Sequence, residues 1–481
     1  MGKLDNLQPE RVFKYFEDIC NIPHGSKNVT QISKYLCDFA RSHELDYYTD
    51  DAQNVVIKKP ATSGYENAET VIIQGHMDMV CEKEDDCDID FDTEGLRLLI
   101  DGDYVKADGT TLGGDDGIAV AMGLAILEDD SLEHPALEVV ITTDEEIGLL
   151  GANALDMDKL NGKILINLDS EEEGHFLTSC AGGLTANCRI PLEYKNNKGA
   201  AYTITVKGLC GGHSGSEIHR ELGNSNFIMG RVLGEISNTV SFELNNLYGG
   251  LKDNAIPRKT TAIITIDDND SRSLCDKIYA INEELKREYK TSDPGIEVTI
   301  SSSEDVSSVF SPNTKAKILS FLRLMPNGLQ HYSMDIPGLV ETSLNAGIMN
   351  CENDTFLVTF SVRSSVESRK HELVDRLKVL AALLDGSVEI EGEYPAWEYV
   401  KESKIRDIFL ETYKELTGKE AIAEAIHAGL ECGLFSGNIE GLDAIALGPD
   451  LWDIHTPKER LSISSTERTY NLVCEVLRKL K

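Results

Sequence analysis

Thr70-Val71-Ile72-Ile73-Gln74-Gly75-His76-Met77-Asp78 is the stretch on which the fold turns. Its first five residues are a short apolar run rich in β-branched side chains, which predicts a buried strand. The strand ends in a histidine and an aspartate, groups better suited to chemistry than to packing. The pattern recurs twice. Leu137–Thr142 (LEVVIT) runs into Thr143-Asp144-Glu145-Glu146, and Lys163–Leu168 (KILINL) runs into Asp169-Ser170-Glu171-Glu172. Between the first two strands lies Gly117–Leu127, with Ile118, Met122, Ala125 and Ile126 on one helical face. Strands alternating with helices predict an α/β domain with a mainly parallel, mixed sheet. The carboxyl edge of such a sheet is where ligands bind.

Working outward, Glu10–Asn21 and Thr30–His43 have helical spacing. Polarity rises after Gly183. Tyr202–Val206, Lys259–Asp267 and Phe356–Val362 predict strands, while Asn282–Tyr289, Lys315–Leu324 and Lys370–Leu384 predict helices. From about Tyr394 the chain returns to helix, loop and apolar strand (Asp443–Gly448, DAIALG) and closes in a helix after Ser464. A length of 481 residues exceeds one compact core. The parse is a discontinuous catalytic domain, 1–183 and 394–481, interrupted by an inserted α+β lid or dimerisation domain, 184–393.

Composition narrows the function. Against 46 basic residues stand 82 acidic ones, a net charge of −36, which argues against a nucleic-acid partner. No run of 18 apolar residues predicts a membrane span, and Met1–Arg11 lacks the basic-then-apolar pattern of a secretion signal. Eleven cysteines without a C-x-x-C pair indicate reduced thiols in a cytoplasmic protein.

Two further acidic or histidine motifs belong with the strand ends: Gly113-Gly114-Asp115-Asp116-Gly117 ahead of the central helix, and Asp453-Ile454-His455 after the last strand. Each alone has an ordinary explanation. Asp115 suits a helix N-cap, Glu145-Glu146 suits solvated charge, and an isolated histidine is more often hydrogen-bonded than a ligand. Their convergence on one sheet edge is what points to a metal. Imidazole with carboxylate suits zinc, whereas an all-oxygen set would favour magnesium or calcium. More ligands than one tetrahedral ion needs implies two ions about 3.5–4 Å apart with a bridging carboxylate.

His76-Met77-Asp78, Thr110–Gly117 (TTLGGDDG) and Thr143–Gly148 (TDEEIG) resemble the di-zinc metallopeptidase superfamily of aminopeptidases, carboxypeptidases and aminoacylases. Asn167–Glu172, Gly211-Gly212-His213-Ser214-Gly215, Asp253–Pro257, His427–Gly433 and Trp452–Pro457 are similar to its aminoacyl-histidine, or cytosol non-specific, dipeptidase branch. The resemblance covers essentially the whole chain. It implies two Zn2+ per chain, with Co2+ or Mn2+ as substitutes. Asp115 would bridge them, His76 and Asp169 completing one ion and Glu146 and His455 the other. Asp116 stands beside the bridge as a second carboxylate. Asp78 would hold the His76 ring, and Glu145 would be the general base. On an extended backbone only one of Glu145 and Glu146 faces the ions squarely.

The resemblance also implies that His213, from the inserted domain, donates to the oxyanion. It would arrive by lid closure or from a second subunit, and likeness to dimeric members points to a homodimer. Asn254, Arg363 and the backbone at Gly429 would hold the substrate's C-terminal end, since an arginine fork matches a carboxylate. The glycine-rich run around His213 also reads as a plain tight turn; it lacks the Lys-Ser/Thr of a phosphate loop. Arg363 also reads as an edge-strand surface residue. The implied activity is hydrolysis of dipeptides, Xaa-His included, by water activated between the zinc ions. One alternative is an amidohydrolase of N-acyl amino acids. The other is a non-catalytic metal-binding scaffold, although scaffolds usually lose ligands and here each is present.

Overall fold

The structure, a computed structural model, describes residues 2–352 and 354–481. Among them, Val71–His76 lies inside an eight-stranded sheet ordered Asp46–Thr49, Val55–Lys59, Leu137–Thr142, Val71–His76, Ile164–Asn167, Asp443–Ala446, His175–Cys180, Ile422–Ile426. Val71–His76 pairs in parallel with Leu137–Thr142 and with Ile164–Asn167, which pairs in parallel with Asp443–Ala446. Val55–Lys59 on one side and His175–Cys180 on the other run antiparallel to this centre. The four central strands run the same way, so the segments that follow them leave from one edge.

Register explains the core. Ile73 lies beside Val139 and Ile166. Together with Val71, Ile141 and Ile164 these residues share a cluster with Phe13, Phe16 and Ile19 of the helix Glu10–Cys20. The helix Gly114–Glu128 completes that cluster and is buried almost all round, not on the single stripe expected. The reason is that it is covered on two sides: a Cβ on Gly117 would lie 3.4 Å from Phe16, and one on Gly123 would lie 2.9 Å from Val139 of the sheet. Truncating a residue such as Ile73 in a core of this kind costs about 2–5 kcal/mol.

The chain divides into two compact units, 1–180 with 399–425 and 430–481, and 181–398 with 426–429. The division falls a few residues from the expected 183/184 and 393/394, and 426–429, expected in the catalytic segments, go with the second unit. That unit holds a nine-stranded sheet, with Glu297–Ser302, Ala200–Lys207, Thr260–Ile266, Phe242–Gly249, Val340–Glu352, Thr355–Ser364, Gly182–Pro191 and Ser387–Tyr394 in order and Gly328–Tyr332 paired to Val340–Glu352. Its helix Ser271–Glu288 starts eleven residues before the expected Asn282, with Leu274, Ile278, Ile281 and Leu285 buried at helical spacing. The polar residues between them hid that stripe. Among the described residues, no helix is long and apolar enough to cross a membrane.

Candidate active site

In the first unit the Asp115 carboxylate faces two imidazoles. Its Oδ1 is 3.1 Å from His76 Nε2 and its Oδ2 is 3.1 Å from His455 Nε2. His455 Nε2 is also 2.9 Å from Glu146 Oε1, and His76 Nε2 is 3.9 Å from Asp169 Oδ1. Asp115, Glu146 and His455 thus form one close group, while His76 links Asp115 to Asp169. Asp116 also lies within reach of His76 and Asp169. Its Oδ2, however, accepts the His76 backbone N–H at 3.2 Å and is packed against Gly75, where a Cβ would sit 2.5 Å away. Asp116 thus anchors the strand end, whereas Asp115 has one oxygen for each imidazole.

His76 Nδ1 lies 2.9 Å from the backbone oxygen of Asp78, which turns Nε2 toward the carboxylates. The Asp78 carboxylate, expected to hold the ring, also pairs with it, Oδ1 lying 3.5 Å from Nδ1. The same carboxylate accepts the Glu145 backbone N–H at 3.0 Å and the Ser26 hydroxyl at 2.8 Å. Asp78 therefore places His76 through both its main chain and its carboxylate, and Glu145 through the carboxylate. The extended backbone expected at Glu145-Glu146 is also absent. Asp144 takes φ +52, and the amides of Gly148 and Leu149 both close onto the Glu145 carbonyl at 2.9 Å. The resulting turn lets both carboxylates approach His76.

The electrostatics suit a cation. Burial, then Asp115 and other carboxylates, push Asp169 up to about 8, although His76 opposes them. Burial also raises Glu145, with Asp169, Glu431 and Glu146 adding to it. Hydrogen bonds to Asp115 and Glu146 push His455 up to about 10, and Asp115 is held low because its two imidazole bonds outweigh its burial. Crowded carboxylates favour positive charge at their centre. The converging imidazole nitrogens and carboxylate oxygens are the donor set of a zinc-type ion, so these residues fit a metal.

The second unit gathers the other expected residues. His213 lies on Gly212–His213, paired with Ala255–Ile256. Its Nδ1 accepts the backbone N–H groups of Gly215 and Ser216, both at 3.2 Å, so the ring's proton sits on Nε2. The Ser214 amide donates to the Asn254 carbonyl at 2.9 Å, while Asn254 itself is exposed. Arg363 is not on an edge: its strand runs between Ser343 and Gly183 of its neighbours. Its Nη1 donates to Tyr394 Oη at 3.1 Å, and its buried Nε has no hydrogen-bond partner among the described residues. Gly429 is required beside that tyrosine, because a Cβ there would lie 2.7 Å from the ring.

The same unit buries His427, which sequence reading quoted but gave no role. Its Nε2 is 2.8 Å from Ser343 Oγ, and burial, then Arg363, hold it down at about 3. An unfolded chain protonates this imidazole near its ordinary 6.5. Between those values the unfolded state binds the extra proton, so acidification from 6.5 toward 3 removes stability, at up to ~1.4 kcal/mol per pH unit. His427→Gln is therefore expected to show a shallower pH dependence of urea unfolding across that window. A slope equal to that of the native chain would contradict this.

The sequence pattern of Peptidase family M20/M25/M40 matches residues 72–479. The chain belongs to this peptidase family. The cytosol non-specific dipeptidase of Escherichia coli (strain K12) is 35% identical over 482 residues, spanning 100% of this chain and 99% of the relative. The crystal structure of aminoacylhistidine dipeptidase from Vibrio alginolyticus matches with a TM-score of 0.93 at 34% identity, over 99% of this chain and 98% of that one. Aminopeptidase PepT from Bacillus cereus ATCC 10987, at 16% identity and a TM-score of 0.57 over 98% and 99% of the two chains, shares the fold.

Two carboxyl groups of this peptidase went unassigned by sequence reading. Glu431 is fully buried, and its Oε2 accepts from Gln74 Nε2 and, at 2.7 Å, from Thr142 Oγ1. Gln74 Oε1 accepts from Asn167 at 2.6 Å, and Asn167 Oδ1 accepts the Asp169 amide at 3.3 Å. The visible signal was a polar residue near the end of three apolar strands: Gln74, Thr142 and Asn167. Glu459 is the other; burial pushes it up to about 7 while the Leu112, Asp115 and Gly113 amides pull it down. Nothing in the peptidase's local sequence marks Glu459.

Proposed function

We propose that the protein is a metallo-dipeptidase of broad specificity, Xaa-His dipeptides included, acting with two zinc ions, for which Co2+ or Mn2+ can substitute. The observation that carries the reading is the Asp115 carboxylate between His76 and His455. Full-length likeness to the Escherichia coli and Vibrio alginolyticus dipeptidases supports the substrate class. His76, Asp115 and Asp169 would hold one ion, and Asp115, Glu146 and His455 the other. Bound there, such ions acidify water and polarise a carbonyl.

The chain's own groups do the rest. Glu145, its backbone held by Asp78, takes the proton of the attacking water and returns it to the leaving amine. His213 offers its Nε2–H to the carbonyl oxygen as charge develops. Arg363, with Asn254 and the backbone at Gly429, receives the free carboxylate of the substrate. In this reading the first unit is catalytic, the second is the lid or dimerisation domain, and the protein works as a cytoplasmic homodimer.

A dipeptide panel, run with and without a chelator beside N-acetyl amino acids, tests the activity. Turnover of N-acetyl amino acids but not dipeptides would replace this reading with the amidohydrolase one. Arg363→Ala should raise KM about 10–100-fold, the scale of a lost charged hydrogen bond. C-terminally amidated dipeptides should already be poor substrates of the native enzyme. Equal turnover of amidated and free dipeptides would refute the carboxylate role.

A further inference from the structure

Glu459 has no part in the chemistry described above. It is 3% exposed, and its carboxyl group accepts four consecutive backbone N–H groups. Leu112 and Gly113 donate to Oε2 at 2.7 and 3.1 Å, and Gly114 and Asp115 donate to Oε1 at 2.8 and 3.3 Å. Successive N–H groups converging on one acceptor form a nest. Two glycines permit it. Gly113 takes φ +66, and a Cβ on Gly114 would lie 2.6 Å from Leu451 and 3.1 Å from Glu459 Oε1. An ordinary N-cap satisfies one or two such donors.

Two observations make Glu459 more than a cap. The last donor is the amide of Asp115, whose carboxylate faces both imidazoles. Glu459 also belongs to the loop that carries His455: its amide closes onto the Thr456 carbonyl at 3.1 Å, and Arg460–Ser462 then pairs with Tyr104–Ala107. One carboxyl group thus ties the segment bearing Asp115 to the segment bearing His455, 340 residues away in sequence.

We propose that Glu459 is a positioning residue that sets the Asp115 carboxylate against His455 for metal binding, touching neither metal nor substrate. This rests on the metal-centre reading of the first unit. Glu459→Gln keeps the side chain's size but offers one acceptor oxygen and turns an NH2 toward two amides. The register between the two ligand-bearing segments then loosens.

The test is titration of metal-stripped chains with Co2+ against a competing chelator, read by the visible cobalt spectrum, beside steady-state kinetics and thermal unfolding of the metal-free chains. Glu138→Gln is the matched control. Glu138 is 2% exposed and accepts from Lys58 and from the amides of Asn161 and Gly162, away from the metal ligands. Glu459→Gln is expected to weaken cobalt binding by about 10–100-fold, the usual cost of losing a group that orients ligands. It should also alter the spectrum and lower kcat more than it raises KM. Glu138→Gln should move only the unfolding temperature.

Native cobalt affinity and spectrum in Glu459→Gln would overturn the proposal, as would an equal loss in Glu138→Gln. If Glu459→Gln does not fold, Glu459→Asp decides: it keeps the charge but is one carbon short, so weakened cobalt binding in a folded chain supports the role and native binding overturns it. A native chain that takes up no cobalt removes the metal reading itself, and this inference with it.

Discussion

Glu145→Gln is expected to keep its metal ions and substrate affinity and to lose about 10²–10⁴-fold in kcat, the contribution typical of a general acid–base group. The amide matches the carboxyl in size but cannot carry a proton between water and leaving amine. Its backbone should stay in place, because the Glu145 N–H is held by Asp78 Oδ1 at 3.0 Å and does not depend on the side chain. The neighbouring Glu146 is the closer partner of His455, at 2.9 Å, so Glu146→Gln is the variant expected to lose metal. Elemental analysis beside kcat and KM for both variants separates the roles. Metal loss in Glu145→Gln with retention in Glu146→Gln would exchange them.

His76→Ala is expected to lose metal and activity together. His76 is 1% exposed, and its ring is aimed by the Asp78 carbonyl toward Asp115 and Asp169. Removing it takes away a proposed ligand and leaves carboxylates crowded without a counter-charge, which disfavours their ionisation. Metal content per chain and dipeptide turnover should fall in step, and added zinc should not restore them at concentrations that reload the chelator-stripped native chain. Full activity in a His76→Ala chain, or in a native chain holding one ion, would sink the two-ion mechanism.

Much of the site was legible because its pieces are local. An apolar run followed by a charged residue is visible within ten positions, so the residue pattern alone gives Thr70–Gln74, Leu137–Thr142 and Lys163–Leu168 with the ligand candidates behind them. Each end falls within two residues of the strands Val71–His76, Leu137–Thr142 and Ile164–Asn167. Parallel pairing then brings those three ends to one edge, because strands that run the same way finish on the same side. Local pattern served less well where burial is two-sided or diluted. The helix Gly114–Glu128 is covered on two faces and shows no single stripe, and Ser271–Glu288 carries its stripe among charges.

What the sequence by itself determined is the order of the elements and the residue types at the sheet edge. What only the tertiary structure decided is where side chains of neighbouring or distant residues point. Asp115 and Asp116 are chemically identical and adjacent, yet one faces two imidazoles while the other caps the amide of His76. The left-handed Asp144 lets both Glu145 and Glu146 approach His76, which an extended backbone would forbid. Glu459 gains its four donors from a segment more than three hundred residues earlier. The physical reason is common to all three. Side-chain direction depends on backbone torsions and on partners brought in by the fold, and neither is written in the identity of the residue.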